Sequence, residues 1–266
     1  MSHGYRTPSG LLALCYPSKF ERSIPFFNLI YILQICEYID HTGDVKILDE
    51  IGGTIQEIIS LFSNRIDETG LISNFPLPCW NYYEWTEKSN GSYDNLPRKG
   101  NLYDLILNCM YVYVCEKMNN FFHVEFKTEK IRQAIQRTFY DDEKGLYFCN
   151  TKEKFYSQLG NSMAILIGIA DESVAKKIIE DKSVVKISFA TNTFFYDALL
   201  KFGDTYKEFI IRDIESKYKP MLDAGATSFW ETEEGSKAFD GAGSLCHGWS
   251  AIPVYYYSIL GVANTL

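Results

Sequence analysis

The chain has 266 residues, 46% of them hydrophobic and 23% charged, so it can bury a sizeable core as one large domain or two small ones. Its 26 basic and 34 acidic residues leave a formal net charge of −8 without a run of lysine or arginine, which argues against a nucleic-acid or anionic-membrane partner. No linker rich in proline, glycine or serine divides the chain, and neither a signal peptide nor a long uncharged apolar stretch is evident. We therefore expect one soluble, cytoplasmic domain spanning residues 1–266, whose ligand is a neutral or polar small molecule.

The seven cysteines are odd in number and lack CxxC spacing; they lie at positions 15, 36, 79, 109, 115, 149 and 246. This scatter argues against a disulfide framework, and we expect reduced thiols that are mostly buried. We predict neither a metal nor another cofactor.

Hydrophobic spacing predicts nine helices and only short pieces of strand. Pro25 suits the first turn of the first helix, and Thr128 is a good N-cap for the fourth. The predicted helices span about 24–38, 45–66, 101–119, 128–139, 157–169, 172–179, 191–202, 204–222 and 251–260. The loop over 67–100 is long and rich in aromatic residues, and loops of this length in compact domains are usually functional.

A recurring glycine turn punctuates the helices, in the runs PSGLL, DETGLI, DEKGLY and LDAGAT. The glycines lie 60, 75 and 80 residues apart, and each interval accommodates an antiparallel helical pair. Such pairs stack into a solenoid or close into a toroid. Because the loops that carry the four tryptophans each follow one of these glycines, we expect a ring with one functional end. The tryptophans are Trp80, Trp85, Trp230 and Trp249.

The run WNYYEW at 80–85 places a carboxylate and an amide between two tryptophans. Tryptophan faces suit the apolar faces of sugars, so the run could form a sugar-contacting wall that includes Glu84. The alternative is a loop that is held in place by its own aromatic residues.

The stretch 225–261 carries the densest set of reactive side chains. A β-prone run over 227–230 ends on Glu231, and a glycine-rich loop then leads to His247 and Trp249. Carboxylates and imidazoles suit proton transfer, and loops on a rigid scaffold are where sites usually lie. The alternative is an ordinary loop whose aromatic residues cap a core.

Glu231 is the better catalytic candidate, because the apolar Phe229-Trp230 pair beside it could shift its pKa by desolvation. Glu233 and Glu234 are interpreted as solvated charges. Glu84 and Glu231 form the predicted carboxylate pair; inverting glycoside hydrolysis places its two carboxyl groups about 6.5–9.5 Å apart.

Two runs of the sequence suggest metal sites as alternatives. The run Cys246-His247-Gly248 is similar to the zinc signature of lanthionine cyclases, but the nearest preceding cysteine, Cys149, lacks that family's surroundings. The acidic cluster at 141–143 is similar to the metal-binding aspartates of terpene cyclases. It lies in a short turn, and we interpret it as solvated.

The ordered set of runs resembles the catalytic barrel of bacterial α-L-rhamnosidases, glycoside hydrolase family 78. The matching runs are SGLLALCYPSKFERSIPFFNLIY, EYIDHTGD, CWNYYEWTE, NLYDLILNCMYVYV, YDDEKGLY, GATSFWET and LCHGWSAIPVYYYSILG, which cover nearly all of the chain. The resemblance implies an all-α (α/α)6 barrel, an inverting mechanism with Glu231 as general base, and sugar-binding roles for Glu84, Trp85, His247 and Trp249.

Departures from the family pattern are equally specific. Phe26 and Leu245 stand where the family has acidic residues. The general acid of the family lies upstream of the region matching residues 8–10. Three of the family's twelve helices have no predicted counterpart in this sequence, and neither do the β-sandwich domains that usually precede the barrel.

Two hypotheses follow from the resemblance and its departures. The first is a hydrolase that acts on terminal α-L-rhamnosyl or related glycosides, either as part of a larger enzyme or with another acid such as Glu84. The second is a catalytically silent carbohydrate-binding or interaction protein. Because the predicted first helix is apolar around most of its circumference, we also expect self-association or a partner chain that supplies the missing helices.

Overall fold

The computed structural model describes residues 6–15, 21–86, 88–91, 101–122 and 125–262. Within these ranges the chain forms ten α-helices and one two-stranded hairpin. The helices are α1 (Pro25–Thr42), α2 (Ile47–Ser63), α3 (Leu105–Met118), α4 (Glu129–Phe139), α5 (Gln158–Leu166), α6 (Glu172–Glu180), α7 (Asn192–Leu200), α8 (Lys207–Asp223), α9 (Ala238–Gly241) and α10 (Pro253–Ile259). The strands are β1 (Tyr140–Asp141) and β2 (Leu146–Tyr147), which pair antiparallel.

Helices buried on most sides alternate along the chain with helices buried on one face. Every residue of α5 is buried, as are most residues of α3. The buried residues of α4, in contrast, follow helical spacing on a single face: Ile131, Ala134, Ile135 and Phe139. The inner helices pack in sequence, α1 on α3, α3 on α5 and α5 on α7. The predicted all-α toroid of helical pairs is confirmed.

Tyr256 joins α10 to this inner layer. Its ring packs edge-on against Tyr196 at 4.9 Å, and its hydroxyl donates a 2.8 Å hydrogen bond to Oδ1 of Asp197. Both partners lie on α7, so α10 continues the sequence of inner helices.

All nine predicted helices are present, with boundaries that differ by a few residues. Helix α1 runs on to Thr42 because the left-handed residue that ends it is Gly43, at φ +70°. Thr128 precedes α4 but does not cap it; its hydroxyl donates to Glu116 instead. The tenth element, α9, was not predicted; it is a single turn whose two central residues, Phe239 and Asp240, have left-handed and not α-helical backbone.

The strand predicted over 227–230 does not form. Its backbone meets the following segment at separate points, where Glu231 N–H donates to Ser244 O and His247 N–H donates to Phe229 O. The loop between these points is too irregular for a continuous ladder.

The repeated glycine turns are confirmed by their backbone conformation. Gly10, Gly70, Gly145 and Gly225 have φ values of +84°, +81°, +60° and +76°, which an L-residue with a side chain rarely adopts. In the first three turns the chain on either side of the glycine pairs antiparallel, as in the bridge between Arg6 and Leu12.

The segments that precede the inner helices contact one another. Trp80 N–H, before α3, donates to Ser23 O, before α1. Bridges also join Asp104 to Asn150 and Ser157 to Val185. The inner helices therefore begin at one end of the ring, which we call the mouth.

The C-terminal turns of α1 and α3, together with residues along the length of α7 and α10, surround a second space, the far cavity, of about 780 Å³. The apolar side chains of α1 are largely buried. The exposed apolar side chains that line the far cavity include Tyr255 and Ile259, which belong to α10. Self-association and a partner chain stay predictions.

Five cysteine side chains are buried, as predicted; Cys15 and Cys246 are exposed, and all seven are free thiols. None of the described helices is both long and apolar enough to span a bilayer.

Candidate functional site

Glu231 lies at the mouth, where hydrogen bonds hold its carboxylate. Trp85 Nε1–H donates to Oε1 at 3.0 Å, and Ser244 N–H donates to Oε2 at 3.3 Å. Trp249 Nε1–H donates to the backbone carbonyl of Glu231 at 3.0 Å. Two predicted sugar-binding tryptophans, from loops far apart in sequence, therefore orient the predicted general base.

The 80–85 loop is an aromatic cluster. The rings of Trp80 and Tyr82 lie 5.9 and 4.8 Å from the ring of Trp85. Trp80 Nε1–H donates to Asn90 O at 2.8 Å, so both indoles of the loop have polar partners. The two interpretations of this loop are compatible, because aromatic packing holds it and also presents Trp85.

Buried contacts anchor the same loop to the helices. Tyr83 OH donates to Oδ2 of Asp104 at 2.8 Å, directly before α3. Phe26 of α1 is 1% exposed and packs edge-on against Tyr83 and Phe194, at 5.4 and 6.4 Å. At Phe26, where the family pattern has an acidic residue, this chain has an apolar contact that links α1, the loop and α7.

The other aromatic candidates pack behind Glu231. The imidazole of His247 stacks on Trp249 with ring centroids 3.8 Å apart. Its Nδ1 is buried and has no hydrogen-bond partner among the described residues. Trp230 covers Gly235, where an added Cβ would lie 2.6 Å from the indole. Gly235 therefore permits the indole of Trp230 to approach the loop backbone closely.

Glu84 is completely buried beneath the mouth. Its Oε2 accepts hydrogen bonds from Ser188 N–H at 2.8 Å and Thr191 Oγ1–H at 3.2 Å, whereas Oε1 has no partner among the described residues. Burial raises the pKa of Glu84 to about 7, against the lowering effect of these hydrogen bonds and of Lys217. The carboxyl group thus joins the 80–85 loop to the chain that enters α7.

The hydroxyl of Tyr82 lies within electrostatic reach of both predicted carboxylates. Burial raises the pKa of this hydroxyl first, and the charges of Glu84 and Glu231 raise it further. The oxygen is buried and has no partner among the described residues. Glu84 is also next in sequence to Trp85, whose indole bonds Glu231, so the two carboxyl groups belong to one site and do not lie at opposite ends of the ring.

A cavity of about 310 Å³, the mouth cavity, opens beside Trp85. Three separate segments line it: Trp85 and Thr86, then 186–189, then 232–239 in part. Its lining residues are Trp85, Thr86, Lys186, Ile187, Ser188, Phe189, Thr232, Glu233, Glu234, Ala238 and Phe239. Of the four tryptophans only Trp85 is in this set, while Glu233 and Glu234, expected to be solvated, are exposed and line the cavity.

The metal alternatives gain no support. Cys149 is buried beside Ser157, with Sγ 3.1 Å from its hydroxyl oxygen, whereas Cys246 is exposed. Asp141 accepts hydrogen bonds from the backbone of Glu143 and Lys144, as expected for a turn. No three His, Cys, Asp or Glu side chains of the described part converge as metal ligands would.

Sequence reasoning missed several residues of the site. Lys186 and Ser188 lie in a segment without an aromatic or glycine-rich pattern, so the sequence carries no signal for them. The sequence does contain a signal for Phe239, because this is a single aromatic residue in the polar, glycine-rich run GSKAFDGAG.

The family model for the bacterial alpha-L-rhamnosidase 6 hairpin glycosidase domain matches residues 5–258. The chain belongs to this family. Its predicted resemblance and its fold class are thereby confirmed, and the site described above is the mouth of a six-hairpin glycosidase domain.

Two solved structures share the fold of this six-hairpin domain. One is a family 78 rhamnosidase of Bacillus sp. GL1, with a TM-score of 0.74 and 22% identity over 91% of this chain and 27% of that one. The other is a rhamnosidase from Klebsiella oxytoca with rhamnose bound, with a TM-score of 0.74 and 15% identity over 95% of this chain and 51% of that one. The domain thus spans about a quarter and a half of these proteins. No curated protein matches it.

Proposed function

We propose that this chain forms the helical barrel of a glycoside hydrolase that cleaves terminal α-L-rhamnosyl or related glycosides. The observation that carries the proposal is the fixed carboxylate of Glu231, held by Trp85 and Ser244. Glu231 does not itself line the mouth cavity, but its partner Trp85 and the following residue, Thr232, do. Both structural neighbours are rhamnosidases, and one has rhamnose bound, which supports the choice of sugar.

In this proposal Glu231 acts as the general base of an inverting reaction. Its carboxylate accepts a proton from a water molecule, which attacks the anomeric carbon from the face opposite the leaving group. The glycosidic C–O bond breaks as the leaving oxygen takes a proton from a general acid, which the family resemblance places upstream of the region matching residues 8–10. Trp85 fixes one carboxylate oxygen, and Trp249 fixes the backbone of the same residue. The polar and aromatic lining of the mouth cavity matches the hydroxyl groups and apolar faces of a sugar.

Glu84 takes a positioning role in this proposal. A carboxyl group without exposed surface does not touch a leaving group, so its direct action as an acid stays a prediction that requires movement of the 80–85 loop. As placed, its hydrogen bonds to Ser188 and Thr191 hold together two walls of the mouth cavity.

The alternative prediction is a barrel that binds carbohydrate without cleaving it. Inverting hydrolysis uses two carboxyl groups, and Glu231 is the only one of the predicted pair that is partly exposed.

The test combines hydrolysis of an aryl α-L-rhamnoside with calorimetric binding of L-rhamnose. Glu231→Gln keeps the shape of the side chain and removes the proton acceptor, so hydrolysis should fall about 10²–10⁴-fold while rhamnose binding is kept. Glu143→Gln, an exposed turn residue, is the matched control. Undiminished hydrolysis by Glu231→Gln rejects the base assignment. Binding without turnover by the unaltered chain shows that this chain alone does not supply the general acid, as the silent alternative and a barrel of a larger enzyme both predict.

A further inference from the structure

Phe239 presents an exposed aromatic ring to the mouth cavity. The side chain is 43% exposed, and its ring centroid lies 4.6 Å from that of Trp85. Trp85 is the residue whose indole holds Glu231, so Phe239 extends the aromatic wall outward from the proposed base. Neither ring is covered on its cavity side by a described residue, since both line that space.

The backbone holds this ring in an unusual conformation. Phe239 and Asp240 have φ values of +54° and +57°, and they are the only described residues other than glycine with positive φ. Two consecutive left-handed L-residues cost free energy, and such strain is found mainly where the surrounding structure requires it, often at binding sites.

Hydrogen bonds and close backbone packing anchor the base of this turn. Ala238 is buried, and its carbonyl accepts hydrogen bonds from the backbone N–H groups of Ala242 and Gly243, each at 3.0 Å. Gly243 lies so close to Gly235 that an added Cβ would be 2.0 Å from the Gly235 carbonyl oxygen. The anchored base therefore sets the direction of the Phe239 ring, although the ring itself is exposed.

The rings of Phe239 and Trp85 are inclined by 52°, which makes a corner with two apolar walls. Both polar side chains, among them Thr86, Lys186 and Thr232, and apolar ones, among them Ile187 and Phe189, line the rest of the cavity. A pyranose has the matching distribution, with C–H groups on its faces and hydroxyl groups around its rim.

We infer that Phe239 is a substrate-binding residue that stacks on an apolar face of the sugar and closes the corner made with Trp85. This inference rests on the proposed function, because it assumes that the mouth cavity takes a sugar. It assigns to Phe239 a contribution to substrate affinity and to selectivity for sugars with an uninterrupted apolar face. It assigns no proton transfer to Phe239.

The experiment measures L-rhamnose binding by calorimetry and, where turnover occurs, KM and kcat with an aryl α-L-rhamnoside. Phe239→Ala removes the wall and should weaken binding and raise KM about tenfold, with a smaller change in kcat. Phe239→Trp keeps an aromatic face and should retain most of the affinity, whereas Phe239→Leu should lie between.

Leu245→Ala is the matched control. Leu245 lies in the same glycine-rich stretch, is 44% exposed, and does not line the mouth cavity, so its truncation should leave binding unchanged. Sugar binding by the unaltered chain together with equal binding by Phe239→Ala overturns the inference and leaves the proposed function standing. An equal loss in Leu245→Ala overturns it as well, because the effect then belongs to the loop as a whole. Absence of sugar binding in the unaltered chain overturns the proposed function and this inference together.

Discussion

The indole N–H of Trp85 donates a 3.0 Å hydrogen bond to the carboxylate of Glu231, across a separation of 146 residues. The bond joins the loop before α3 to the loop before α10, and so connects two distant inner helices at the mouth. It also fixes one carboxylate oxygen of Glu231, the proposed base. The direction from which the carboxylate accepts a proton is therefore defined.

Removal of this single donor should reduce activity without unfolding the chain. Trp85→Phe keeps an aromatic ring but loses the N–H, and a hydrogen bond to a charged group is worth about 1.5–3 kcal/mol. We expect hydrolysis of an aryl rhamnoside to fall about ten- to a hundredfold, mainly in kcat. Tyr206→Phe is the control, since it removes an aromatic donor to a glutamate away from the mouth, Glu172. Equal losses in both variants would show that the Trp85 bond has no special role.

Ionisation of Glu84 should make stability depend on pH. Because burial raises the pKa of Glu84 to about 7, from an ordinary value of 4.5, the folded chain retains a proton that the unfolded chain releases. The free energy of unfolding should therefore fall as the pH rises from about 4.5 to about 7. At about 1.4 kcal/mol per pKa unit, the decrease is about 3 kcal/mol.

Urea denaturation at pH 5 and pH 8 tests this expectation. Glu84→Gln is uncharged at both values, so its stability should change less between them than that of the unaltered chain. The same pH dependence in both proteins would assign the effect to other groups.

The backbone conformation of a glycine determines whether its replacement by alanine lowers or raises stability. Gly225 has φ +76° and nothing within 4 Å of an added Cβ, so Gly225→Ala introduces backbone strain alone and should destabilise the chain by about 1 kcal/mol. Gly53, on α2, is also free of nearby atoms but has helical backbone, so Gly53→Ala should stabilise by about 0.5–1 kcal/mol. Thermal unfolding of the two variants should shift in opposite directions, and shifts of the same sign would contradict the turn assignment.

Phe26 should be important for stability in spite of its departure from the family pattern. Phe26→Ala removes a fully buried ring from the junction of α1, the 80–85 loop and α7, at a cost of about 3–5 kcal/mol. Phe26→Asp should be at least as damaging, because it buries a charge without a partner. Leu222→Ala, at a position 69% exposed, should change stability by about 0.5 kcal/mol or less. Denaturant unfolding measures all three, and a stable Phe26→Asp would refute this packing.

The local features of this chain could be predicted from its sequence. Hydrophobic period, proline at α1 and the turn glycines are properties of short segments, and nine helices and four turns follow from them. The family resemblance likewise rested on short runs in a fixed order, and it located Glu231, Trp85, His247 and Trp249 in one region.

Tertiary structure alone decided what each of these residues contacts. Glu84 and Trp85 are neighbours in sequence, yet one is completely buried against the entrance of α7 and the other lines the mouth cavity. The ring of Phe239 packs against Trp85, and the pKa of Glu84 depends on Ser188 and Thr191; in both cases the partners are more than 100 residues away. Burial, desolvation and ring contacts arise between segments that are remote along the chain, so no local pattern specifies them.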